Sequence, residues 1–73
     1  MNLEMLGLKL RLLRGDRTLS DVANATGIGI SALNNYELGL RMPRDEVKIV
    51  LANYYGLSIG ELFYPDEITK REE

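Results

Sequence analysis

Apolar side chains recur along this chain three and four residues apart, the spacing of helices. Leu3, Leu6, Leu10 and Leu13 predict an amphipathic helix over 3–14, ended by Gly15-Asp16. Thr18 is a good N-cap, and Asp21 three residues on gives a capping box for a second helix to about Ala25. Thr26-Gly27-Ile28 is the turn, a third helix runs from about Ile30 to Leu38, and Gly39 is its left-handed cap. Pro43 blocks continuation, and a fourth helix starts near Arg44 with Asp45 and Glu46 at the positive end of its dipole. Val47, Val50, Leu51 and Tyr54 form its expected buried stripe, and Gly56 stops it. In Leu57-Ser58-Ile59-Gly60-Glu61-Leu62, Ser58 caps, Glu61 completes the box and Leu57 staples onto Leu62. A short fifth helix follows to about Tyr64, before Pro65.

The expectation is therefore an all-α fold, a compact five-helix bundle in a single domain over 1–64. Its core is expected to hold Leu6, Leu10, Val22, Ala23, Ile28, Leu33, Val47, Leu51, Leu57 and Leu62. A charged tail over 65–73 is expected to be disordered. Within the bundle, 18–38 reads as two short helices across a tight turn. Ala23 is small enough to let the next helix approach, and Gly27 can take the positive φ the turn needs. Such a unit is a common means of presenting one helix to the major groove of DNA.

Composition removes other classes of function. With no cysteine and no histidine, the 73 residues cannot build a disulfide, a Cys/His zinc site or the usual nucleophile–base pair. Ser20, Ser31 and Ser58 have no histidine to activate them, and Asp45-Glu46 and Asp66-Glu67 fall in a first turn and a tail. No catalytic residue, metal, cofactor or small-molecule substrate is expected. The longest aliphatic run, Ile49 to Ala52, is far too short to cross a bilayer, and Glu4 precedes any apolar run without a basic lead. A soluble, cytoplasmic protein is expected, and the lack of cysteine fits a reducing compartment.

The formal charge of −2 argues against a nucleic-acid binder until its distribution is considered. The acidic excess lies in the tail, at Asp66, Glu67, Glu72 and Glu73 against Lys70 and Arg71. Before it the charges balance, and the bases cluster: Lys9, Arg11, Arg14 and Arg17 precede the two-helix unit, and Arg41, Arg44 and Lys48 follow it.

Taken in order and spacing, a set of residues resembles the Cro and phage-repressor class of helix-turn-helix regulators, the xenobiotic-response-element family. Its carriers are Leu6-Gly7, Arg14, Thr18, Val22-Ala23, Gly27-Ile28, Leu33, Glu37, Gly39, Pro43, Leu51-Ala52, Gly56-Leu57-Ser58 and Glu61-Leu62. The resemblance covers 3–64 and implies a lambda-repressor-like bundle that binds double-stranded DNA as a homodimer. It implies base contacts from Gly29, Ile30, Ser31 and Asn35, and phosphate contacts from Thr18, Arg17, Arg41 and Arg44. It also implies a structural ion pair between Arg14 and Glu37. The chain departs from the family pattern at Leu19, where glutamine is common, at Ile30, where the base-reader is usually polar, and at Leu38 and Leu40. Asn35 retains an amide that can pair with adenine, and Ile30 can meet thymine methyl groups.

Two further expectations concern surfaces. One small core cannot bury Tyr54, Tyr55, Ile59, Phe63 and Tyr64 from one side, so these are the expected dimer contacts. The sequence also leaves open a protein-interaction module on the same fold, docking a partner through Leu19, Ile30, Leu38, Leu40 and Met42. The two readings differ in whether those five side chains are exposed together or turned inward.

Overall fold

The computed structural model describes residues 2–65, and the rest of the charged tail lies outside the described residues. Most helix ends meet groups that satisfy their loose backbone donors or acceptors, the starts of the third and fourth helices excepted. Asn2 opens α1 (Leu3–Arg14), its side-chain oxygen accepting from the Met5 N–H at 2.7 Å. Thr18 opens α2 (Leu19–Thr26) with both halves of a capping box, each bond to or from Asp21 at 3.0 Å. Gly27, at φ 78°, donates to the Ala23 carbonyl at 2.8 Å and turns the chain toward α3 (Ile30–Glu37). The end of α3 is a Schellman motif, in which the Leu40 N–H reaches the Asn35 carbonyl and the Gly39 N–H that of Tyr36. The helix α4 (Asp45–Tyr55) ends in the same pair of bonds, from Leu57 to Ala52 and from Gly56 to Asn53. Ser58 and Glu61 box the start of α5 (Ile59–Phe63).

The core gathers Leu6 and Leu10 of α1, Val22 of α2, Leu33 and Tyr36 of α3, Leu51 and Ala52 of α4, and Leu62 and Phe63 of α5. Ala23, Ile28, Val47 and Leu57 surround it half-buried, and Pro43 is fully buried in the α3–α4 connection. The helix α1 lies on α3, α2 on α3 and α4, and α5 on α4. The tightest approach is at Gly7, where a Cβ would fall on the Glu37 carbonyl oxygen and 2.9 Å from that of Tyr36. Only a residue without a side chain lets the two backbones come so near.

Two expectations about burial are corrected. Val50 is 37% exposed instead of buried, while Ala52 is in the core. The cause is α5, which docks beside Lys48, whose Nζ lies 5.6 Å from the Phe63 ring centre, and so turns the buried side of α4 away from Val50. Phe63, expected at a dimer surface, is 5% exposed and belongs to the core. Five residues of helix bury one narrow face, and Phe63 next to Leu62 sits on it.

Candidate nucleic-acid interface

The helix α3 is divided lengthwise. Leu33 and Tyr36 anchor it in the core, while Ile30, Ser31 and Asn34 face solvent and Asn35 is half-buried. Gly29 is the N-cap and supplies no side-chain bond, so the first-turn N–H groups of α3 carry the positive end of its dipole uncapped. With no side chain, Gly29 can contribute to a contact only through its backbone. The side chains of Ser31 and Asn35 have no hydrogen-bond partner among the described residues and keep their donors and acceptors for a ligand.

Most of the basic side chains are committed inside the molecule. The Arg14 guanidinium forms two parallel bonds with the Glu37 carboxylate, Nε to Oε2 at 2.8 Å and a second from its terminal nitrogen to Oε1 at 3.0 Å. This fork-to-fork pairing ties the end of α1 to the end of α3. The bond to Glu37 raises the Arg14 pKa above its ordinary value, against desolvation. Burial, and then the Glu37 charge, raise the Tyr55 phenol above 10.0. Arg17 donates to the carbonyls of Arg14 and Leu13 at 3.0 and 2.8 Å, satisfying the loose end of α1. Its guanidinium also lies 5.1 and 5.3 Å from the ring centres of Tyr54 and Tyr55. Arg17 is therefore a strut between α1 and α4, a role that competes with the phosphate contact expected of it. Lys9 donates to the Glu61 carbonyl at 2.6 Å, and Lys48 to the Tyr64 hydroxyl at 2.8 Å.

Arg41 and Arg44 are different. Both are exposed in the connection that follows α3, and neither side chain has a hydrogen bond or ion pair among the described residues. The Thr18 hydroxyl accepts from the Asp21 N–H and still has its own proton to donate. The structure thus keeps uncommitted donors at Thr18, Ser31, Asn35, Arg41 and Arg44. The five apolar positions of the docking alternative split: Leu19 packs against the core, and Ile30, Leu38, Leu40 and Met42 are exposed. Of the aromatic and aliphatic set near the chain end, Ile59 and Tyr64 are exposed, whereas Tyr54 and Tyr55 are half-buried against each other.

Sequence reading missed the internal roles of Lys9, Arg17 and Lys48, because their partners are backbone carbonyls or residues distant in the chain. It also missed Thr26, whose hydroxyl donates to the Val22 carbonyl at 2.7 Å and accepts from the Ile28 N–H at 3.2 Å. A threonine at the last position of a helix, just before a glycine, was the available signal.

The helix-turn-helix family matches residues 8–62. The chain is similar to the cryptic phage CTXphi transcriptional repressor RstR of Vibrio cholerae, with 38% identity over 65 residues. That alignment covers 86% of this chain and 59% of the relative, so the chain spans little more than half the relative's length. No solved structure matches the chain.

Proposed function

Because this chain belongs to the helix-turn-helix family, we propose that it is a sequence-specific, DNA-binding transcriptional repressor of the prophage type. The similar phage protein is named as a repressor, which supports the same reading here. In this reading α3 enters the major groove, Asn35 pairs with an adenine, Ser31 meets a base or phosphate, and Ile30 lies against thymine methyls. Thr18, Arg41 and Arg44 hold phosphates on either side, and the uncapped start of α3, including the Gly29 backbone, adds its partial positive charge. The observation that carries the reading is the division of the bases. Arg14, Arg17, Lys9 and Lys48 are bonded within the fold, whereas Arg41 and Arg44 are uncommitted and follow α3 directly.

The protein works as a homodimer in the cytoplasm, each copy reading one half of a near-palindrome, since one short helix reads too few base pairs to find a single site. Ile59 and Tyr64 form the centre of the dimer contact, with Tyr54 and Tyr55 at its border. Selection from a random DNA pool at moderate salt should enrich a two-fold symmetric motif. Asn35→Ala should then weaken the selected site by about 1–3 kcal/mol and random DNA hardly at all, while Arg41→Ala and Arg44→Ala weaken both about equally. If no motif is enriched, the reading fails, and the exposed set Ile30, Leu38, Leu40 and Met42 becomes a docking face for a protein.

A further inference from the structure

The helix α1 is apolar on two opposite sides. Leu6 and Leu10 enter the core, yet Met5, Leu8 and Leu12 are 59%, 62% and 81% exposed. At about 100° per residue these three fall within about 60° of one another, on the side of the helix turned away from Leu6 and Leu10. A helix with apolar residues on both sides is expected to be covered on both. On one flank of the stripe, Lys9 is tied to the Glu61 carbonyl, so α5 borders it there. The other flank carries Glu4 and Arg11, both exposed and neither bonded through its side chain among the described residues. Seven residues apart, they stand on the same side of the helix, about 10 Å along its axis.

This arrangement matches itself when reversed. An antiparallel copy of α1, placed about a two-fold axis at Leu8, sets Met5 over the partner's Leu12 and Glu4 beside the partner's Arg11, each contact occurring twice. We propose that the Met5–Leu8–Leu12 stripe is a self-association surface whose occupant is α1 of a second copy of this chain, held in register by two Glu4–Arg11 pairs. Charge complementarity selects this occupant, because one acidic and one basic residue placed evenly about the centre of an apolar stripe satisfy an isologous contact and no generic apolar one. Three side chains per copy make a small, weak contact. It is separate from the dimer surface at Ile59 and Tyr64, and it does not depend on DNA binding.

The test is sedimentation of the full chain without DNA, carrying Ile59→Glu so that the C-terminal surface is removed, with helix content checked by circular dichroism. That chain should still associate at high concentration. Glu4→Arg and Arg11→Glu, added singly, should each weaken association at least about tenfold by setting like charges together. An equimolar mixture of these two variants should recover the association of the parent. In each mixed pair the introduced arginine of one copy faces the introduced glutamate of the other, and the unaltered Glu4 faces the unaltered Arg11. Leu8→Glu should abolish association alone and in any mixture. A parent that stays monomeric, charge variants without effect, or a mixture no stronger than its components would overturn the proposal; the last two outcomes would leave the stripe for another segment or protein.

Discussion

Gly7 shows how one residue sets the spacing of two helices. Alanine there would favour α1 by about 1 kcal/mol in helix propensity. The added Cβ, however, would meet the backbone of Glu37, which cannot rotate aside as a side chain can. Overpacking of this kind typically costs about 1–3 kcal/mol, and an unyielding backbone neighbour puts the cost at the upper end. Gly7→Ala should therefore lower the thermal midpoint, by about 4–8 °C for each net kcal/mol lost in a domain this size. A midpoint at or above that of the parent would show that α1 and α3 part easily. The identity of Gly7 was legible in the chain, but the reason for it was not, because the clashing atoms lie far along the chain on another helix.

At the scale of elements, the capping signals were the most legible part of the sequence. Thr18–Asp21 and Ser58–Glu61 both form reciprocal boxes, since the chemistry is complete within four residues and needs no tertiary partner. The Ser58 backbone N–H, and then the Ser58 hydroxyl, hold the Glu61 carboxyl below its ordinary 4.5. A depressed folded pKa means that the charged cap stabilises the fold above pH 4.5 and is lost as the pH falls through the folded value. The gap in urea midpoint between the parent and Glu61→Gln should therefore be widest near neutral pH and close below 4.5. A gap that is flat across that range would mean that the Glu61 charge adds nothing to the α5 cap. The rotation of the α4 stripe was not legible. Periodicity shows that α4 has an apolar side, but the side actually covered, Ala52 and not Val50, depends on where α5 docks. For the same reason Phe63 reads as surplus in the sequence and sits in the core of the fold.

For the molecule as a whole, the balance of charge is settled by what the fold has already used. Counted from sequence, seven bases precede the tail; counted from structure, four of them bond to internal partners. Among the described residues, Arg41 and Arg44 are the bases left uncommitted beside α3, and on the proposed reading they would supply four cationic phosphate contacts to a DNA-bound dimer. Each neutralised phosphate contributes about 0.9 to the slope of log affinity against log salt, so the slope should be about −3 to −4 for the dimer. A titration on the selected site that gives a slope steeper than about −8 would mean that the paired bases leave their partners on binding. The candidate contact positions were legible through the resemblance to helix-turn-helix regulators, which assigns them to α3 and its flanks. The availability of each one was not, because it depends on long-range bonds.

The lengthwise division of α3 has a consequence for how such a chain changes over generations. Leu33 and Tyr36 hold the helix in place, while Ile30, Ser31 and Asn34 face solvent and Asn35 is half-buried. Substitutions at the outer positions are nearly free of stability cost, as surface changes away from special features generally are. On the proposed reading, in which α3 enters the major groove, a lineage can therefore exchange one operator for another through a few replacements on the outer side of α3, with the bundle that carries it unaltered.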